Sequence, residues 1–410
     1  MRIAYLTGEY PRATDTFIQR EIAILRDRGL EVRPFSIRRT GAEHDVSAEI
    51  AAERQRTFCI LPAAKNPLRL VGDHLTLLLQ NPARYLRAIA LAFRSSQPGL
   101  KGGIYQCFYF LEAGIVAREM ARSRLHHVHN HFGSSSGTVA LLAAELGGYG
   151  FSMSLHGPYI FFEPDRWRLD LKIRKALFVA CISYFCRSQV AIYTPPDRWD
   201  RLHIIHCGVN PDLFEPVEHR GQGRNLLYCG RLAAVKGLPI LLESLAQLRD
   251  ALPEVRLNLI GDGPDRPLLE RMVQDLGLGD RVHFLGYRSQ DEVRAALQQT
   301  DIFVLPSFAE GVPVSLMEAM AAGVPVVTTR IAGVAELVED GVSGYLVPPS
   351  NVDQLGDRLK TLLLDGDLRR QFGAAGRAKV AAEFDIRQEG DRLHQIFDNA
   401  LQGKPSPIRP

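Results

Sequence analysis

At 410 residues the chain is longer than one hydrophobic core usually supports, and its 46% hydrophobic and 23% charged residues are ordinary for a globular protein, so two domains are expected. The net charge of +3 hides an asymmetry: residues 1–210 carry 27 Lys and Arg against 18 Asp and Glu (27 − 18 = +9), leaving 22 against 28 (22 − 28 = −6) for the rest. The two halves therefore differ in partners, and neither an aromatic platform nor a recognisable module argues for nucleic acid.

The chain opens on MRIAYLTGEYP, a first strand over 3–6 and a loop in which Gly8 lets backbone approach a phosphate or an acceptor at the strand's end. This start lacks the long apolar core of a signal peptide, and no segment reaches the roughly 18 apolar residues of a membrane span. A helix is expected over 16–28, ended by Gly29. Six cysteines, at 59, 107, 181, 186, 207 and 229, form no CxxC pair and no metal spacing, so they read as reduced, mostly buried residues of a cytoplasmic protein. Residues 66–124 mix Arg84, Arg87, Arg94, Lys101, Arg118, Arg122 and Arg124 with Leu, Phe and Tyr. That pattern fits helices packed on the first sheet equally with a basic amphipathic surface resting on an anionic membrane.

In HHVHNHFGSSSG, His127, His129 and His131 share one strand face at period two. No Cys or acid nearby in sequence completes a shell, so no metal site is expected; His131 and Gly133 are acceptor-loop candidates, with core packing as the alternative. A strand over 152–155 ends at His156, whose ring is expected to project into an interdomain cleft.

Residues 211–225, rich in Pro, Gly and charge, read as the linker between domains over 1–210 and 226–385. After a strand over 226–229, Arg231 and Lys236 are two cations about a helical turn apart that can clamp a departing diphosphate. Gly261 opens GDGPDRP, which is not a dinucleotide fingerprint because a proline stands where the turn should continue into the helix. In DIFVLPSFAEGVPVSLMEAMAAGVP, a buried parallel strand over 302–305 ends at Pro306, and Gly311 and Pro313 punctuate the loop before a helix through Met320. Glu310 then lies at the ligand-binding edge and Glu318 one to two turns along the helix, so one carboxylate can take sugar hydroxyls and the other ribose hydroxyls. Two solvated surface acids would be the plain alternative. Residues 391–401 have helical spacing, within a last helix over 386–401, and 402–410 is expected to be disordered.

The string PSFAEGVPVSLMEAMAAGVPVV, with LYCGRLAAVKGLPILLES, LIGDGPDRPLLE, VHFLGY and AGVAELVEDGVSGYLVPP, resembles the retaining glycosyltransferases of the GT-B architecture, the large family 4 (group 1), over nearly all of the second half. The resemblance implies two Rossmann-like, doubly wound α/β domains facing across a cleft, the last helix crossing back. It implies a nucleoside-diphosphate-sugar donor and no metal, with Glu310 on the sugar, Glu318 on the ribose, and Arg231 and Lys236 on the diphosphate. His156 contacts the sugar from the other domain. Gly311, Val312 and Pro313 line the donor loop, and Gly261 and the loop of Gly286, Tyr287 and Arg288 flank the base.

The expected activity is hexose transfer, with retention, to a lipid-linked or saccharide acceptor in bacterial exopolysaccharide assembly, by a cytoplasmic enzyme with a peripheral contact at the inner face of the plasma membrane left open. The alternatives are a nucleotide-sugar 2-epimerase of the same fold, which needs acid and base residues around the sugar instead of an acceptor groove, and a non-catalytic sugar-nucleotide-binding subunit.

Overall fold

The computed structural model describes residues 1–97, 99–219 and 223–406, and it divides into two compact units, 1–206 with 390–410 and 207–389. Of the segments singled out above, Pro98, residues 220–222 of the expected linker and residues 407–410 of the expected tail lie outside the described residues.

The first unit holds a parallel sheet of β1 (Arg2–Glu9), β2 (Glu31–Arg38), β3 (Phe58–Cys59), β4 (His127–His131), β5 (Gly150–Leu155), β6 (Val179–Cys181) and β7 (Leu202–Ile204), in the order β3-β2-β1-β4-β5-β6-β7. The chain winds outward from β1 one way, then from β4 the other, so the strand order reverses between β1 and β4. Gly8 lies inside β1 and not after it, because the strand continues to pair with β2 as far as Glu9 opposite Arg38. The helix Thr16–Asp27 ends where Gly29 takes a φ of +86°, the left-handed cap that glycine adopts without strain.

Helix Ser135–Gly147 is apolar all round and almost wholly buried, since it packs on β1, β4 and β5 beneath helices Pro82–Arg94 and Leu100–Arg122. Helix Pro67–Gln80 in turn lies on both of these. Segment 67–122 is thus an outer helical layer over helix Ser135–Gly147, and it meets the sheet itself where Glu119 pairs with Arg33 of β2 at 2.9 Å.

The last helix, Ile386–Leu401, belongs to the first unit from Gly390 onward. Its Leu393, Ile396 and Phe397 join one core cluster with Ile3, Tyr5, Ile22, Leu25 and Phe178. A Cβ on Gly390 would stand 2.1 Å from Ile24 Cγ2, so glycine is what lets this helix approach helix 16–27.

The second unit holds a parallel sheet of β8 (Asn225–Cys229), β9 (Arg256–Ile260), β10 (Val282–Gly286), β11 (Ile302–Leu305), β12 (Val326–Thr329) and β13 (Gly344–Val347), in the order β10-β9-β8-β11-β12-β13. Its strand order reverses between β8 and β11. β11 and β12 are buried along their whole length, as the apolar IFVL run requires of a strand covered on both faces.

The stretch read as a linker is docked instead. Val217 N–H donates to the Ala322 carbonyl at 2.9 Å, Arg377 holds the Phe214 carbonyl at 2.7 Å, and Phe214 is buried. The unit changes at His206 and Cys207, upstream of the composition shift, because the Pro-rich backbone finds hydrogen-bond partners on the second unit.

Candidate active site

In an open parallel sheet the crevice for a ligand lies beyond the carboxyl ends of the strands where their order reverses. In the second unit that point is shared by the loop after β8, which carries Arg231 and Lys236, and the loop after β11, which carries Glu310. The two loops are tied by backbone: Phe308 N–H donates to the Val235 carbonyl at 2.7 Å. Gly237, at a φ of +63°, presses against the Pro306 carbonyl so closely that a Cβ would sit 2.1 Å from it. Any side chain at 237 would push the loops apart.

This scaffold brings Lys236 Nζ to 2.5 Å from Glu310 Oε1, with Ser307 Oγ donating to the same oxygen at 2.6 Å. Ser307 is held in turn by Thr329, whose hydroxyl donates to its carbonyl at 2.5 Å. Both donors land on Oε1, so the second carboxylate oxygen is the one that can accept ligand hydroxyls. The pair is largely sequestered, at 20% side-chain exposure for Lys236 and 10% for Glu310, so each charge is strongly felt by any group that enters.

Glu318 is buried in helix Val314–Ala321, for which Pro313 is the capping residue just before the first turn. Its carboxylate lies close enough to Cys229, at the end of β8, to help burial push that thiol up to about 12. Tyr228 is raised well above the usual phenol range by burial first and by Glu310 second, and its hydroxyl donates to the Arg231 carbonyl at 2.8 Å. The Arg231 backbone is thereby fixed while the residue itself is exposed.

Gly261, at a φ of +123°, sits where a Cβ would be 2.0 Å from the Gly230 carbonyl, and its N–H donates to the Gly286 carbonyl at 2.8 Å. The loops after β8, β9 and β10 are thus stitched into one edge. Tyr287 and Arg288 follow β10 there, and Arg288 is turned onto Glu292 at 2.9 Å. Gly311, Val312 and Pro313 lead directly into the helix that carries Glu318.

In the first unit, β4 buries the three alternate histidines completely. Their face meets serines on β5: His127 Nε2 lies 2.6 Å and His129 Nδ1 2.7 Å from Ser152 Oγ, and His129 Nε2 lies 2.9 Å from Ser154 Oγ. Burial drives the His127 imidazole down to about 3 and holds His129 and His156 well below the ordinary histidine range, so these rings are neutral at pH 7. His156, just past β5, has Nε2 at 2.7 Å from His131 Nδ1, and its ring lies tilted against Phe17 with centroids 4.7 Å apart.

An acid does reach this strand, contrary to the sequence reading. Glu21 of helix 16–27 places Oε1 3.2 Å from His131 Nε2 and accepts the Tyr5 hydroxyl at 2.7 Å. Among the described residues Glu21, His129 and His131 are the group that could hold a metal ion, but both nitrogens of His129 are taken by serine hydroxyls, so the donor set does not fit one.

The turn after β4 is strained, with Phe132 at a φ of +80° and Gly133 at +69°. It is held by two residues that the sequence did not reveal. Asn130 accepts from Gly133 N–H at 3.1 Å, and fully buried Lys172 donates to the carbonyls of Gly133 and Ser134 at 2.7 and 2.9 Å. Burial pushes the Lys172 ammonium down to about 7.

Residues 209–379 match the family model described as glycosyl transferases group 1. That match spans most of the second unit. Over 97% of its length the chain is 25% identical to a Salmonella typhimurium protein, WcaL, named for colanic acid biosynthesis as a glycosyltransferase, of which it covers 99%. It is also 33% identical to an alpha-D-kanosaminyltransferase of Streptomyces kanamyceticus, over 57% of this chain and 63% of that one. Among solved structures, Anabaena HepE in complex with UDP and glucose superposes with a TM-score of 0.74 at 19% identity, covering 97% of this chain and 99% of that one. That likeness shows the fold, the two-sheet GT-B class.

Proposed function

We propose that the chain is a retaining, metal-independent glycosyltransferase that takes a hexose from a nucleoside-diphosphate sugar. The observation that carries this reading is the Lys236–Glu310 pair at the strand-order reversal of the second sheet, with Arg231 on the same loop. The donor class draws support from the HepE structure, whose bound molecules are UDP and glucose. In the reaction the bond between the anomeric carbon and the leaving oxygen breaks, and the diphosphate departs with the electron pair. Lys236 and Arg231 neutralise the charge that grows on it, which is the part a metal would otherwise play. Glu310 orients the sugar through its hydroxyls, and Glu318 holds the ribose. The acceptor hydroxyl attacks from the face the diphosphate leaves and passes its proton to the departing phosphate oxygen, so no protein nucleophile is required and configuration is retained. His156 is assigned to the sugar by the family resemblance alone.

The acceptor is a lipid-linked or other saccharide of exopolysaccharide assembly; the name of the Salmonella relative, for colanic acid biosynthesis, supports the assembly and not the lipid. The test is to incubate the protein with single nucleotide sugars and a lipid-linked saccharide in EDTA, then determine the anomeric configuration of the product. An α-linked product from an α-linked donor is expected; an inverted product, or an absolute need for divalent metal, overturns the mechanism. Release of a 2-epimer without acceptor would favour the epimerase.

A further inference from the structure

We propose that the outer face of the helical layer over 67–122 in the first unit is a docking surface for an anionic lipid bilayer. It deepens the proposed function by naming where a lipid-linked acceptor is met, but it stands on observations of its own. Helix 67–80 exposes Leu68, Val71, Leu75 and Leu79 at 85%, 65%, 51% and 72%. At 100° per residue these four positions fall within one narrow stripe, opposite the buried Asp73, His74 and Leu77. Helix 82–94 adds Leu86 and Phe93, one stripe again at a spacing of seven, with Phe93 74% exposed. Helix 100–122 adds Leu100, Ile104 and Phe108 along its first half, before its second half turns inward and is buried. Three neighbouring helices each leave an apolar stripe uncovered, which is more than scattered surface residues would give.

The charges decide the occupant. Residues 65–124 contain three acids, Asp73, Glu112 and Glu119. Asp73 and Glu119 are buried and paired with Arg122 and Arg69, and Glu112 is half-buried, its carboxyl pushed up to about 7 by burial. Cations instead flank the stripes: Arg94 and Lys101 follow Phe93 and Leu100 directly and are exposed. A second copy of the chain meeting this face about a two-fold axis would set Arg94 and Lys101 against their own counterparts, with no exposed acid among residues 65–124 to neutralise them. A bilayer of anionic lipid offers the complement, hydrocarbon for the stripes and phosphate for the cations. No described helix is long and apolar enough to cross a membrane, so the contact is a peripheral one.

The test is flotation of the full chain with phosphatidylcholine vesicles with and without phosphatidylglycerol, at low and high salt, beside light scattering of the free protein. Wild type is expected to float only with phosphatidylglycerol and less at high salt. Arg94→Glu with Lys101→Glu, and separately Leu79→Ser with Phe93→Ser, should each lower partitioning at least about ten-fold with unchanged melting temperature, because all four side chains are exposed. Binding retained in both variants, or absent in wild type, overturns the surface. A dimer that either variant dissociates, without flotation, assigns the face to a second copy and overturns it too. Flotation is read without donor or acceptor. A protein that floats but transfers no sugar overturns the reaction alone, and one that transfers to a soluble acceptor but never floats overturns the surface alone.

Discussion

The two sheets use the same topology to opposite electrostatic ends. At the reversal point of the second sheet, charge is kept: Lys236 and Glu310 face each other across two tied loops, and Glu318 stays buried one helix away. At the corresponding edge of the first sheet, charge is held down: burial keeps the His156 imidazole neutral, as it does His127 and His129 further back along β4, and a lysine is spent on two loop carbonyls. One edge keeps the paired charges on which the proposed diphosphate binding rests; the other holds a strained turn still. What differs is the side chains that the same winding brings to its strand ends.

Removing the charge from the second edge should have the largest effect. Lys236→Ala or Glu310→Ala is expected to lower the transfer rate by roughly 10²–10³, the cost of losing one preorganised group, with a melting temperature close to wild type. Steady-state rates beside a thermal melt check this, and full activity in either variant refutes the site. Phe397→Ala sharpens the contrast by acting on the first unit's core: about 3–5 kcal/mol of stability should be lost in denaturant titration, since Phe397 is fully buried among Tyr5, Phe178 and Leu393. Gly237→Ala couples scaffold to site, because its Cβ must displace the Pro306 carbonyl and with it the loop that carries Ser307 and Glu310. An activity loss larger than its loss of stability, about 1–3 kcal/mol, is expected.

A gentler way to separate the two units is acid. The unfolded chain protonates its histidines near pH 6.5, whereas burial delays His127 to about pH 3 and His203 to about 4 in the folded first unit. Between those values the unfolded state binds more protons, so stability falls as pH drops below about 6.5. Hydrogen exchange at pH 7 and pH 5 should therefore show protection lost first on β4 and β5, with the second sheet less affected. The smallest effect is expected of Arg288→Ala, whose pair with Glu292 is screened by solvent, read as a marginal change in melting temperature.

The placement of the candidate residues in the second unit was legible because they sit in one or two short strings: Arg231 with Lys236, and Glu310 with Glu318, each follow an apolar strand that fixes where they emerge. The supports were not legible. Ser307 and Thr329 are 22 residues apart and meet only through neighbouring strands, though Ser307 stands three residues before Glu310 in the same string. In the first unit the period-two histidines announced a shared strand face. Nothing local announced that Glu21 would reach His131 from helix 16–27, or that Lys172 would be wholly buried. Partners supplied by other elements depend on topology, and a composition shift misplaced the unit boundary for the same reason: Pro-rich backbone can be docked as firmly as a strand.

The most direct test of the central claim is a thermal-shift screen of the protein against UDP-, GDP-, ADP- and dTDP-sugars in EDTA, repeated on Arg231→Ala, since a ligand that binds only the folded state raises the melting temperature. Selective stabilisation by one nucleotide sugar, lost or strongly reduced in the variant, is the result predicted from a metal-free diphosphate clamp on the second unit. Stabilisation that is equal in wild type and variant, or that appears only when divalent metal replaces EDTA, would contradict it.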